Sequence, residues 1–114
     1  MANNFKLKTK PSLTTSLATY YTVPSSTTTV VLGISLANTS ASSVTADVQI
    51  ISDTSHNSET NSTAYLGKSL PIPSGGTLEI MQGNKLVLQT TDAIKAKASA
   101  GSAVDLLISI MEMT

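Results

Sequence analysis

Apolar and polar side chains alternate along most of this chain. The clearest stretch is Val30, Leu32, Ile34 and Leu36, with Val31, Gly33, Ser35 and Ala37 on the opposite parity. A period of two belongs to an extended strand with one buried face. After Asn38-Thr39-Ser40-Ala41-Ser42 the pattern resumes with Val44, Ala46, Val48 and Ile50, leaving Thr45, Asp47 and Gln49 on the wet side. The two runs predict an antiparallel pair joined by a five-residue loop. Near the C-terminus Val104, Leu106, Ile108 and Ile110 share one face, and Asp105, Leu107, Ser109 and Met111 the other. Two apolar members on that second face predict partial burial there by a neighbouring element or subunit.

Shorter extended runs occupy residues 17–23, 64–70, 77–81, 85–89 and 93–98. They are separated by Pro71-Ile72-Pro73-Ser74-Gly75-Gly76, Gln82-Gly83-Asn84, Thr90-Thr91-Asp92 and Ser99-Ala100-Gly101-Ser102. Gly, Asn and Pro supply the special φ values that turns need. No window carries a helical stripe; Ala93, Ala96 and Ala98 favour a helix by propensity, but Lys95 and Lys97 alternate with them as in a strand. The expectation is an all-β fold, an antiparallel β-sandwich of about eight short strands. It spans residues 16–114 and follows an extended N-terminal arm, residues 1–15. In the arm Lys6, Lys8 and Lys10 alternate with Phe5, Leu7 and Thr9. Such a segment can add as an edge strand or lie along a neighbour. Residues 53–62 (DTSHNSETNS) hold no apolar side chain and predict an exposed loop, facing either a receptor or solvent.

Composition narrows the picture. With 114 residues the chain has room for one domain. One Phe, three Tyr and no Trp leave the core to aliphatic side chains. Charged residues are only 12%, seven Lys against seven acids, and no Arg is present. A surface of hydroxyls without a basic patch argues against a nucleic-acid binder. It suits a protein held in an assembly, since solubility alone usually calls for more charge. Cysteine is absent, so no disulfide is expected, which fits assembly in a reducing cytoplasm. Neither a signal-peptide pattern nor an apolar run long enough for a membrane helix is present, so a soluble protein without membrane contact is expected.

Candidate chemistry is sparse. His56 lies in the polar loop beside Asp53, Asn57 and Glu59, without the spacing a zinc or EF-hand site demands, and is read as solvated. Gly75-Gly76 opens no helix and is read as a turn rather than a phosphate cradle. Asp92 is placed to bond nearby amides and fix its turn, and Asp105 to face Lys95 or Lys97 across a hairpin. No nucleophile, acid and base come together, so no catalytic residue, cofactor or metal ligand is assigned.

Three stretches resemble a known group. They are Val30-Val31-Leu32-Gly33-Ile34-Ser35-Leu36-Ala37-Asn38 with a following strand containing Asp47; Leu70-Pro71-Ile72-Pro73-Ser74-Gly75-Gly76-Thr77-Leu78-Glu79; and Leu86-Val87-Leu88-Gln89-Thr90-Thr91-Asp92 with Lys95-Ala96-Lys97, closed by residues 104–113. Together, over about residues 17–113, they resemble small β-sandwich virion structural proteins of tailed bacteriophages. The resemblance implies a non-enzymatic structural protein of the virion, present in many copies and assembled in the bacterial host cytoplasm. A capsid decoration or cement protein on the major capsid lattice is the preferred role, for a chain so short and without fibrous repeats. The alternatives are a neck, tail or baseplate accessory and, more weakly, a host-attachment module binding carbohydrate through Tyr20, Tyr21 or Tyr65. Expected partners are other virion proteins and copies of itself. The residues assigned to partner binding are Phe5, Lys6, Leu7, Lys8, Lys10, Leu107, Met111 and Met113.

Overall fold

A computed structural model describes residues 2–52, 55–56 and 59–114, with backbone alone at Ser55, His56 and Glu59. Among these residues every regular element is a strand: β1 (Asn3–Lys10), β2 (Ala18–Thr22), β3 (Thr28–Asn38), β4 (Val44–Ile51), β5 (Ser55–His56), β6 (Glu59–Thr60), β7 (Ala64–Ile72), β8 (Thr77–Glu79), β9 (Leu86–Leu88), β10 (Ala93–Ala98) and β11 (Val104–Met113). One sheet has the order β1-β11-β3-β8, with β9 also on β3; the other has the order β2-β10-β4-β7. All pairings are antiparallel. The β-sandwich expected from the alternation is the observed architecture. Within the polar segment β5 and β6 form a small hairpin; the His56 side chain lies outside the described residues.

The partners reveal the winding. Strands pair from the two ends of the chain inward: β1 with β11, β2 with β10, β3 with β8 and β9, β4 with β7. A long hairpin rolled up on itself gives this order, and its eight positions in two sheets make a jelly roll. Rolling sends consecutive strands to opposite sheets. β3 and β4 are therefore not the hairpin expected from their sequence but lie on either side of the core. Asn38 stitches the corner between them. Its amide donates to the Ser42 carbonyl (2.8 Å) and the Ile72 carbonyl (2.9 Å), and its oxygen accepts from the Ser40 amide (2.9 Å) and hydroxyl (2.7 Å). β10 and β11 are likewise split between sheets, so Asp105 does not meet Lys95 or Lys97. It accepts instead from the Ser12 amide at 2.9 Å.

The dry layer between the sheets holds Val31, Ile34, Leu36, Leu106, Ile108 and Ile110 from the first sheet, against Val48, Ile72, Ile94 and Ala96 from the second. Here β3 departs from its sequence reading. The register with β11 shifts between Ser109 and Ile110: Ser109 faces Gly33, Ile110 faces Val31, and Leu32 is the additional residue. This bulge reverses the parity of the strand. Thr29 and Val31 point inward before it, and Ile34, Leu36 and Asn38 after it, so Val30 takes the outer face.

The turns follow their residues. Gly75, at φ 71°, precedes Gly76, whose amide donates to the Pro73 carbonyl at 2.9 Å. Asp92 accepts from the Gln89 amide at 2.9 Å and fixes the turn into β10. Pro71 continues β7 instead of ending it, which an edge strand permits.

Candidate interaction surface

β1 is the open edge of the first sheet, paired with β11 along all eight of its residues. Direct pairing places Lys6, Lys8 and Lys10 beside Ile110, Ile108 and Leu106, on the core side, and Phe5, Leu7 and Thr9 beside Met111, Ser109 and Leu107, on the outer side. The three lysines roof the mouth of the sandwich with their alkyl stems. Lys6 reaches Glu112 at 2.7 Å, Lys8 lies 5.9 Å from the Tyr21 ring centre, and Lys10 borders a small cleft with Tyr20 and Leu106. Inward charges on an edge strand also discourage a foreign strand from adding there.

Tyr21, Thr29, Glu112 and Lys6 form one network that ties the two sheets together. The Tyr21 hydroxyl donates to Glu112 at 2.6 Å, leaving the Thr29 hydroxyl, 2.8 Å away, to donate to the tyrosine oxygen. Tyr21, Thr29 and Glu112 are buried. The bond from Lys6, then that from Tyr21, holds the Glu112 carboxyl below its ordinary value despite the opposing effect of burial. Burial first, and then the Glu112 carboxylate, pushes the Tyr21 phenol up to about 12. A carboxylate thus supported fixes the position of β1 on β11 and through it the outer face.

That face is apolar where the strands of the first sheet run side by side. Phe5 is 72% exposed, Leu7 59%, Val87 57% and Leu107 37%. In the register Phe5 lies opposite Met111, Met111 opposite Val30, and Val30 opposite Val87. A single apolar row therefore crosses four strands. Met113 and Thr28 flank it on one side, and Leu7, Ser109 and Gly33 on the other. The structure thus gathers Phe5, Leu7, Leu107, Met111 and Met113 on one face and sends Lys6, Lys8 and Lys10 to the other. Val30 and Val87 complete the row and were not assigned from the sequence. The bulge hid Val30, whereas Val87 carried a readable signal as the middle residue of Leu86-Val87-Leu88.

A second feature lies on the outer side of the other sheet. Asp47 is buried there; its Oδ1 accepts from the Ser69 amide at 2.7 Å, and its Oδ2 lies 3.0 Å from the Lys68 ammonium and 3.7 Å from that of Lys97. A bulged stretch of β7 brings Ser69, at φ 53°, over the carboxylate. Burial pushes the Asp47 carboxyl up, but the Ser69 amide, Lys68 and Lys97 together outweigh it and hold it below its ordinary value. A polar cleft of about 230 Å³ opens beside it, lined also by Thr15, Thr45 and Ser99. Asp47→Asn is expected to lower stability by about 1 kcal/mol, because one charge-assisted bond is weakened and the lysines are half exposed. Urea titration checks this; an unchanged midpoint would make the cluster incidental.

Among the described residues, no three His, Cys, Asp or Glu side chains gather as metal ligands. What the fold presents is a jelly-roll domain whose most exposed apolar side chains lie mainly on one sheet face.

Neither a family model nor a curated protein matches the chain. Two solved structures share its fold. One is of Bacillus endospore appendages, described as disulfide-linked pili: 10% identical, covering 99% of this chain and 87% of that one, with a TM-score of 0.54. The other is of the T13 IBDV viral particle: 12% identical, covering 96% of this chain but only 30% of that one, with a TM-score of 0.55. At such identities the likeness is one of fold.

Proposed function

We propose that this chain is a non-enzymatic structural subunit of a tailed-bacteriophage particle, bound as a decoration protein to the capsid lattice. The observation that carries the assembly role is the apolar row Phe5-Met111-Val30-Val87, exposed at its two ends, half-buried at Met111 and Val30, and free of charge along its length. Contiguous exposed apolar surface of this kind marks protein contact sites. The resemblance of residues 17–113 to small phage virion proteins supports the particle. The shared fold with a chain of an icosahedral virus and with a pilus subunit supports assembly more broadly. Linkage through disulfides, as in those pili, is closed to a chain without cysteine.

Cryo-EM of purified particles tests the reading. Copies on the outer capsid lattice are expected, with the first sheet's outer face buried against a neighbouring subunit. A Phe5→Asp, Leu7→Asp double variant should fold but occupy far fewer sites. Absence of the protein from purified particles overturns the virion role; density at the neck, tail or baseplate overturns the decoration role.

A further inference from the structure

We propose that the cleft beside Asp47, on the outer side of the second sheet, is a binding site for a phosphate group. The four strands of that sheet carry three lysines, Lys68, Lys95 and Lys97, and one acid, Asp47. Three against one leaves two positive charges on one sheet of a chain whose formal net charge is zero. Ala96 and Ala98 are buried in the core, so Lys95 and Lys97, alternating with them, stand on the outer side.

At the cleft the Asp47 carboxylate is spent within the fold. Its Oδ1 takes the Ser69 amide at 2.7 Å and its Oδ2 the Lys68 ammonium at 3.0 Å. Lys68 thereby cancels the charge that would otherwise repel an anion. Lys97 lies 3.7 Å from the same oxygen, beyond hydrogen-bond length, and among the described residues its ammonium has no hydrogen-bond partner. One positive charge with unused donors remains beside the cleft.

The rest of the lining also offers donors. Thr15, Thr45, Ser69 and Ser99 bring hydroxyls to it. Among the described residues, those of Thr15, Thr45 and Ser69 have no hydrogen-bond partner. That of Ser99 only accepts, from the Thr45 amide at 3.0 Å. These groups come from the segment before β2, from β4, from β7 and from the segment after β10. Donors converging from several sides suit a tetrahedral group, whose oxygens point in several directions, better than a planar carboxylate. Lysine meets phosphate as a point charge and needs no fixed fork.

Size and rigidity agree with a small anion. The cleft measures about 230 Å³, below the roughly 300–1,000 Å³ of sites for drug-sized molecules. It is also formed before any ligand arrives. Buried Asp47 holds Lys68 and the Ser69 backbone, and Ser99 is tied to β4 by its amide on the Thr45 carbonyl at 2.8 Å. Groups already in place lower the ordering cost of binding. The phosphate can arrive as the free ion or on an ester, since the cleft recognises the same oxygens in both.

Titration of the intact chain with inorganic phosphate tests the site, followed by amide NMR at neutral pH and at an ionic strength held constant with chloride. The amides of Thr45, Ser69 and Ser99 are expected to shift saturably, with a Kd of about 1 mM or tighter. Lys97→Met keeps the alkyl stem, removes the charge and should weaken binding at least about tenfold. Lys95→Met removes an equal charge from the same face outside the cleft. Screening should leave its Kd within about twofold of the unmodified chain. The same spectra show that each variant is folded. No saturable shift up to about 50 mM phosphate, where a site of about 1 mM would be almost full, overturns the proposal. Equal losses from Lys97→Met and Lys95→Met also overturn it, because binding would then follow the charge of the sheet and not the cleft. Acetate binding as tightly as phosphate overturns the choice of a tetrahedral group. Matching shifts with glycerol phosphate support an ester as the ligand, and shifts with inorganic phosphate alone support the free ion. The free chain is the sample throughout, so the result stands apart from the virion role.

Discussion

Val31→Asp is expected to leave the chain unfolded at room temperature, whereas Val30→Asp, one position earlier, is expected to fold. Val31 is fully buried on the core side of β3, paired with Ile110 on one side and Leu86 on the other. An aspartate there forfeits about 1.5–3 kcal/mol of apolar burial. It also leaves a carboxylate without a partner in the dry layer, at about 3–5 kcal/mol. Their sum rivals the whole stability of an ordinary domain, about 5–15 kcal/mol. Val30 sits on the outer face between Met111 and Val87 and keeps partial access to water. Its replacement is expected to lower stability by about 1 kcal/mol, in the range of surface-proximal substitutions. Circular dichroism during urea titration separates the two variants. The reverse outcome, with Val30→Asp unfolded and Val31→Asp native, would restore simple alternation through β3 and remove the bulge.

The same pair of valines marks where the sequence stops being readable. Alternation reports which side chains share a face only while the strand stays regular. In β11 it does, and Val104, Leu106, Ile108 and Ile110 are buried as their spacing predicts. In β3 one additional residue at Leu32 inverts the parity, and nothing in a run of Val, Leu and Ile distinguishes the inserted position. Alternation also says nothing about partners. Both β3 and β4 satisfy a half-buried pattern equally well as neighbours in one sheet or as facing strands in two. The choice is made by contacts far along the chain, such as the Asn38 amide on the Ile72 carbonyl.

The candidate surface was legible for a related reason. Phe5, Leu7, Leu107, Met111 and Met113 are apolar at positions where a polar residue would do, and that is visible without a structure. Their neighbour Lys6 looked equivalent by proximity, yet period two sends it to the other face. Asp47 read as a wet-side residue because the fold of β7 over it cannot be inferred from its own strand. The bond between Tyr21 and Glu112 joins residues 91 apart, beyond any local signal.

Glu112→Ala is expected to lower stability by about 3 kcal/mol, the second largest effect. The buried Glu112 carboxylate accepts the Tyr21 hydroxyl, a bond to a charged group and so worth about 1.5–3 kcal/mol. The Lys6 bridge adds at most about 1 kcal/mol, since that lysine is half exposed. Glu112→Gln keeps an acceptor for Tyr21 and should lose only about half as much. The pH dependence has a fixed sign. A carboxyl whose folded pKa lies below its ordinary value of 4.5 contributes fully above that value and is lost as pH falls through the folded pKa. Acid unfolding of the native chain should therefore steepen below about pH 4.5, and Glu112→Gln should flatten part of that slope. Asp47, whose folded pKa is also depressed, adds to the same slope, so adding Asp47→Asn should flatten it further. On the alkaline side the Tyr21 contribution is complete below pH 10.0 and fades as pH rises through about 12. Tyr21→Phe should remove that part of the limb and leave the part that comes from Lys68, whose ammonium the Asp47 carboxylate also holds above its ordinary value. Stability curves for Glu112→Gln that track the native chain at every pH would mean that the carboxylate is solvated in both states. The network would then have no part in holding β1, and with it Phe5 and Leu7, in place.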